Sequence, residues 1–506
     1  VLPVLRPSEM ADADRRTIEA GTPGEVLMER AGSAVAFAVR RLLGGTYGRR
    51  AVVFCGGGNN GGDGVVAARL LRAWGVRAEV VMLGGGAGSA GWETAAHRAD
   101  IAVDAMFGTG FRGRLEGEAQ RISESLRERG FPTVAVDIPS GVAGPTGEVD
   151  GEAVTAAVTV TFAAYKPGVL FEPGRSHAGR VELVDIGIPV VVDHDPGGPS
   201  HPDGAGGGAA VAGPGAVTVT RCGVTEAADV ARWLPSRAPA AHKWSAGGVF
   251  VVGGSDGMAG APLLASRAAL RAGAGIVHCG LPGHEAAARA SGGEVISRPL
   301  PARGGALDAA ATGIVVGSLG RFGALVLGPG LGLAESTRTA VRRTAAEAGV
   351  PLVLDADGLN GLEGDLTPLR SRAHPTVLTP HDEEYRRLTG RAVGPDRLEA
   401  ARDLAARSGA VVLLKGPATV VAAPDGRAAV NPTGGPVLAS AGTGDVLSGV
   451  VGALLARGVA AFEAAAGAAF LHGAAGQAIG TGLTAGDLVR ALPRTISGLE
   501  ADSPET

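Results

Sequence analysis

Two apolar patterns alternate along the chain. Short apolar runs recur at Arg50–Cys55, Arg77–Leu83, Asp100–Asp104, Thr133–Asp137 and Val158–Phe162, and again at Gly248–Gly253, Ala324–Leu327, Pro351–Asp355, Thr376–Thr379 and Ala410–Lys415. Runs without polar alternation read as strands buried on both faces. Between them, apolar residues spaced three and four apart predict helices over Ala11–Glu19, Glu25–Leu43, Val65–Trp74, Ala261–Ala272, Val446–Ala456 and Phe462–Gln477. Strands alternating with helices predict an α/β fold of three layers, a parallel sheet covered on both faces. Ligands in such sheets bind beyond the carboxyl ends of the strands.

At 506 residues the chain exceeds what one core holds, roughly 250–300 residues, so two domains are expected. The apolar period stops near Val190 and resumes near Val217, across a stretch dense in Gly and Pro. That composition reads as a solvated spacer. It divides the chain into domains 1–190 and 217–506 with a linker at 191–216, and no repeat relates the halves. The net charge of -4, without a Lys/Arg run, argues against nucleic acid as partner. Cys55, Cys222 and Cys279 form no CxxC pair, which argues against a disulfide framework or structural zinc and for a reducing cytoplasm. No leader pattern or apolar run of transmembrane length is read, so no membrane partner is expected.

Candidate chemistry sits in the loops after the strands. In the first half Gly56–Gly64 reads Gly-Gly-Gly-Asn-Asn-Gly-Gly-Asp-Gly. Its glycines let backbone approach a phosphate, and its amides and carboxylate can bond sugar or base. It is neither GxGxxG nor a Walker loop. Asp104–Gly110 and Asp137–Gly141 follow two further strands. Uncharged oxygens such as those of Asn60 and Ser140, with one Asp, suit a monovalent cation, although each Asp alone reads equally as a turn or helix cap. Lys166, in Lys-Pro-Gly at a strand end, reads as a surface lysine or a functional amine.

These segments, with Gly24–Gly32 and Thr161–Gly168, resemble NAD(P)H-hydrate epimerase over residues 8–190, a Rossmann-like domain. The resemblance implies that Asn59, Asn60, Gly61, Gly62 and Asp63 hold the hydrate. It implies further substrate contacts from Gly108, Thr109, Gly110, Phe111, Arg112, Gly113, Arg114 and Asp137. It implies a potassium ion on Asn60, Asp104 and Ser140, and catalytic roles for Asp104 and Lys166.

In the second half Gly442-Thr443-Gly444-Asp445 feeds a glycine turn into an apolar helix. Free N–H groups at a helix start form an anion hole. An Asp there can deprotonate a hydroxyl that attacks a phosphate. The plainer alternative is a turn with Asp as helix cap. Strand-end loops at Gly253–Pro262, Gly328–Gly332, Asp355–Asn360, Thr379–His381 and Lys415–Thr419 precede it in order. Together they resemble ADP/ATP-dependent NAD(P)H-hydrate dehydratase, a ribokinase-like family, over about 225–495. The resemblance implies hydrate contacts from Ala261, Gly330, His381 and Asp445, with Asp445 as catalytic base. It implies an adenine nucleotide on Lys415, Gly416, Pro417, Ala418, Thr419 and Gly444. Two departures stand out: His242-Lys243-Trp244 replaces His-Lys-Gly, and His381-Asp382-Glu383-Glu384 replaces His-Pro-Gly-Glu. The lost glycine at 383 predicts a different turn beside His381.

The fused order matches bifunctional repair enzymes of bacteria. The expected substrates are hydrated NADH and NADPH with ADP and magnesium, and the expected assembly is a homo-oligomer. Two rivals remain: a ribokinase-like kinase of a small hydroxylated metabolite, and a non-catalytic dinucleotide sensor.

Overall fold

The computed structural model describes residues 1–84, 91–193, 217–237, 239–289 and 293–501. Its contacts divide into two compact units, Leu2–Gly223 and Val224–Thr506, the latter with Val1. The expected spacer is flanked by Val190–Val192 and Thr218–Thr220, which pair in parallel. Its 194–216 portion lies outside the described residues. No helix among the described residues is long and apolar enough to cross a membrane.

The first unit opens with helices α1 (Pro7–Glu19) and α2 (Gly24–Leu43). There follow β1 (Arg50–Cys55), α3 (Asn59–Ala73), β2 (Arg77–Met82), α4 (Trp92–Arg98), β3 (Ile101–Ala105), α5 (Gly117–Glu128), β4 (Thr133–Val136), β5 (Val158–Phe162) and β6 (Arg180–Val184). The sheet order is β2-β1-β3-β4-β5-β6, and every neighbouring pair is parallel. Successive strand residues point to opposite faces. Val53 and Cys55 therefore join α2 and α3 in one core, while Val52 and Phe54 join α4 and α5 in another. That double burial is why the strands lack polar alternation.

The second unit contains β7 (Gly248–Val252), α6 (Gly260–Arg271), β8 (Ile276–Pro282), β9 (Ile296–Leu300), β10 (Ala324–Leu327), α7 (Glu335–Glu347), β11 (Leu352–Leu354) and β12 (Thr376–Leu378). It continues through α8 (Asp382–Thr389), α9 (Arg397–Ser408), β13 (Val411–Leu414), β14 (Val420–Ala422), β15 (Ala428–Val430), α10 (Thr443–Ala456), α11 (Ala461–Ile479) and α12 (Ala485–Ala501). These strands lie in the order β15-β14-β13-β12-β11-β10-β7-β8-β9. Pairing is antiparallel only at β13-β14 and β14-β15. Val249, Val251 and Val326 face a core built with α6, α10 and α11. The alternate residues Phe250, Leu325 and Leu327 are equally buried, so both faces of this sheet are covered too. Helix α10 is apolar around most of its circumference and nearly all of it is buried, as a helix central to a core must be.

Sequence reading and structure differ most at the first glycine loop. The helix there starts at Asn59, not Val65. Glycine disfavours helix by about 1 kcal/mol each, which is why the run reads as loop. Tertiary packing overrides this: a Cβ on Gly61 would lie 1.9 Å from the Gly56 carbonyl oxygen. Strand β8, helix α12 and the β14–β15 hairpin were not anticipated.

Candidate active sites

In the first unit the loops after β1, β3, β4 and β5 meet at the carboxyl edge of the sheet. They enclose a cavity of about 620 Å³ whose lining includes Asn59, Asn60, Asp63, Gly108–Phe111, Asp137 and Lys166. Lys166 is buried, with 1% of its side chain exposed, and its Nζ lies 2.6 Å from Asp137 Oδ1. The same amine donates to Thr161 Oγ1 at 3.1 Å and the Phe162 carbonyl at 2.9 Å. It is therefore an interior cation held by a carboxylate, not a surface lysine. Asp137 adopts φ 67°, a left-handed conformation costly for a residue with a Cβ. Thr161 Oγ1 also donates to it at 3.1 Å.

Asp104, in β3, is wholly buried. Its Oδ1 accepts from Ser140 Oγ at 2.6 Å and from the Met106 amide at 3.2 Å, and its Oδ2 accepts from the Ser140 amide at 2.8 Å. Burial pushes its proton affinity up to about 6 although these donors oppose the rise. Asn60 Nδ2 is buried without a hydrogen-bond partner. Gly61 and Gly62 sit in the first turns of α3, against the Gly56 backbone and the Met28 side chain, and do not line the cavity. Arg112 turns back to the Thr109 and Phe111 carbonyls. Arg114 pairs with Asp150 at 2.9 Å on an exposed flank. Neither arginine, nor Gly113 between them, lines the cavity.

Sequence reasoning missed Asp14, which α1 brings to the same cavity. Asp14 is raised to about 6 by burial, with Lys166 opposing and Asp137 adding to the rise. Asp63 is raised further, to about 8, by burial and then by Asp137 and Asp14. Three carboxyl groups thus crowd one lysine, and one of them, Asp63, holds its proton near neutral pH. Asp14 belongs to no glycine motif. Its only signal is a carboxylate close to the buried face of an amphipathic helix.

In the second unit the predicted loops likewise follow β7, β10, β11, β12 and β13 at one sheet edge. Gly442 takes φ 86° at the start of α10, a conformation open to glycine. It turns the chain so that the first-turn amides of Gly444 and Asp445 have no intrahelical acceptor. Thr443 Oγ1 holds the turn through the Leu438 and Ser440 carbonyls, each at 2.9 Å. Asp445 is raised to about 7, first by burial and then by Asp355, while Lys415 opposes and Asp357 and Glu384 add smaller increments.

Lys415 Nζ lies 2.9 Å from Asp355 Oδ1 and 3.5 Å from Glu384 Oε2. Burial lowers its proton affinity, but the two carboxylates outweigh it and hold the amine above its ordinary value. Asp355 also accepts from Thr379 Oγ1 at 2.7 Å. His381 caps α8, its Nδ1 accepting from the Glu383 and Glu384 amides. The helix starts regularly at Asp382, and Glu383 is an exposed partner of Arg386 and Arg387. No left-handed residue is needed at 383. Trp244 packs edge-on against Phe322 at 5.5 Å. Gly330, at φ 66°, sits against Met258 and Ala261.

Gly416, Pro417 and Thr419 line a small cavity of about 70 Å³ with Asn431, Thr433, Gly434 and His472; Ala418 lies within that loop. His472 bonds the Thr443 carbonyl at 2.9 Å. Burial lowers its proton affinity to about 4, so it is neutral, and it lines the same small cavity as Gly416, Pro417 and Thr419. Asn431, Thr433 and His472 were missed. The signal for the first two was the Gly434-Gly435 turn directly after a strand.

A family model described as NAD(P)H-hydrate dehydratase matches residues 249–497, and one described as YjeF-related protein N-terminus matches 24–91 and 86–168. The chain is 38% identical to the bifunctional NAD(P)H-hydrate repair enzyme Nnr of Moorella thermoacetica, over 98% of this chain and 97% of that protein. It is 37% identical to the enzyme of the same name from Mycobacterium tuberculosis, over 88% of this chain and 87% of that protein. A crystal structure of ADP/ATP-dependent NAD(P)H-hydrate dehydratase from Bacillus subtilis, co-crystallised with ATP/Mg2+, is 32% identical, with a TM-score of 0.47. It corresponds to 54% of this chain and 96% of that chain.

Proposed function

The chain belongs to the bifunctional NAD(P)H-hydrate repair enzymes, and from that premise we propose how each unit contributes to the repair. The first unit epimerises the R and S hydrates of NADH and NADPH. The second dehydrates the S hydrate, using ADP as phosphoryl donor. The observation that carries this reading is Asp445, a half-buried carboxyl raised to about 7 in the first turn of α10, where helix amides are free to meet an anion.

Hydroxide is a poor leaving group from the hydrated ring. Asp445 takes the hydroxyl proton as the oxygen attacks the terminal phosphorus of ADP, and AMP departs. The first-turn amides bear the charge of the transferring phosphoryl group. Phosphate then leaves the ring carbon, the adjacent ring carbon gives up a proton, which leaves with the phosphate or to water, and the double bond is restored. Lys415 to Thr419 with Gly444 hold the nucleotide, and Ala261, Gly330 and His381 the hydrate. Magnesium bound with the nucleotide would offset polyphosphate charge, which matters beside the carboxyl groups of Asp355, Asp357, Glu384 and Asp445.

In the first unit Asn59 to Asp63 with Gly108 to Phe111 grip the hydrate, and Lys166 with Asp137 and Asp104 serve the chemistry. Asn60, Asp104 and Ser140 would hold a potassium ion through their side-chain oxygens. Asp104 is buried and its donors are all neutral, so a monovalent cation would compensate its charge. The test is to mix both hydrate epimers with ADP, magnesium and potassium and to follow reduced-nicotinamide absorbance and phosphate. Full recovery of NADH with one phosphate per hydrate is expected. A stable phosphorylated product would identify a kinase instead.

A further inference from the structure

We propose that Glu384 is a positioning residue of the second site, one buried carboxylate that holds both the hydrate-side His381 and the nucleotide-side Lys415. The inference rests on the reading of that site given above. Glu384 is only 4% exposed, yet three donors converge on it. The His381 amide donates to Oε2 at 2.8 Å. The His381 ring brings Nε2 within 3.4 Å of Oε1. Lys415 Nζ stands 3.5 Å from Oε2.

The ring geometry has a chemical consequence. His381 Nδ1 accepts from two backbone amides, of Glu383 at 3.1 Å and Glu384 at 3.2 Å. The proton of the neutral ring therefore sits on Nε2, facing Glu384. The ring, half exposed on its other side, is fixed in tautomer and orientation before substrate arrives. Lys415 is placed by the same carboxylate and by Asp355. A second tie runs in parallel. Arg397 pairs with Asp382 at 3.0 Å and donates to the Lys415 carbonyl at 2.8 Å. The start of α8 and the end of β13 are thus bound by both side chains and backbone, the Lys415 amide donating to the Pro380 carbonyl at 2.8 Å. Two substrate loops tied through one carboxylate will not be ordered independently.

The groups that face Asp445 are Asp355, Asp357, Glu384 and Lys415. Glu384 opposes ionisation of Asp445, so neutralising it moves the acid limb of kcat/KM to lower pH. The limb reports that charge alone; the positioning role is read in the two KM values, which a merely structural role would leave in place. Glu384→Gln is expected to raise KM for both hydrate and ADP by roughly 10-fold, the loss typical of a hydrogen bond to a charged group, and to move the limb downward. Glu384→Asp keeps the charge and shortens the reach. It should return the limb to the parent position while both KM values stay high, and it decides the matter if Glu384→Gln does not fold. A rise in only one KM, or in neither, in a folded Glu384→Gln variant overturns the inference and leaves the dehydratase reading intact. A parent protein that fails to dehydrate hydrate with ADP or ATP removes that reading and this inference with it.

Discussion

Replacing Asp445 by Asn keeps the side chain's shape and removes its charge, and the structure gives two separate consequences. The first is kinetic. Loss of one general base slows a reaction on the order of a hundred- to ten-thousand-fold. Dehydration should fall by that factor, while epimerisation and adenine nucleotide binding persist. The second is thermodynamic. Folding raises the Asp445 proton affinity from 3.8 to about 7, so the native state binds a proton that the unfolded chain has released. The protein thereby loses stability as pH rises from about 4 to about 7, and the full penalty stands above that. At about 1.36 kcal/mol per tenfold change in proton affinity, the ceiling is ~4 kcal/mol. Asn removes it. Thermal unfolding at pH 8 should therefore occur several degrees higher in Asp445→Asn than in the parent, at roughly 2–4 °C per kcal/mol. The gain should shrink at pH 5. Calorimetry at both pH values, beside dehydration rates, measures both effects. Parent-like dehydration by Asp445→Asn would refute the mechanism. Lost activity with no gain in stability at pH 8 would refute the assignment of Asp445 as a charge buried at a cost.

Three further outcomes follow from the first unit. Lys166→Met leaves the Asp137 carboxylate without its buried partner, at about 3–5 kcal/mol; epimerisation should vanish and the unit's thermal transition drop, while dehydration of purified S hydrate continues. Asp14→Asn removes a charge that helps raise Asp63 toward about 8, so any limb of the epimerisation pH profile near 8 should move to lower pH. Gly61→Ala drives a methyl into the Gly56 carbonyl oxygen, with a loss of about 1–3 kcal/mol visible as a lower denaturant midpoint of that unit.

The strands and the strand-end loops were legible because their signals are local. An apolar run such as Ala51–Cys55 cannot remain in water, and a glycine run directly after it marks a strand end where backbone can approach a ligand, so the sheet edge and its ligand loops could be read in order. The motif residues Asn60, Asp104, Ser140, Lys166, His381 and Asp445 carried a family resemblance for the same reason. The starts of α3 and α8 were not legible. At the start of α3 Gly61 sits so close to Gly56 that no side chain would fit, and at the start of α8 His381 caps a regular first turn that needs no glycine at 383. The electrostatics were hidden as well. Asp14 gains its role from where α1 docks, and the burial of Lys166 on Asp137, which decides between a surface lysine and a functional amine, is visible only in the fold. Asp355, Glu384 and Lys415 come from three separate strand ends and matter only as a cluster. Sequence by itself determined which segments must be buried and which loops could meet a ligand, because hydrophobic period and glycine act along the chain. Tertiary structure decided which carboxyl groups hold protons and which residue positions which, because desolvation and charge coupling depend on distance through space.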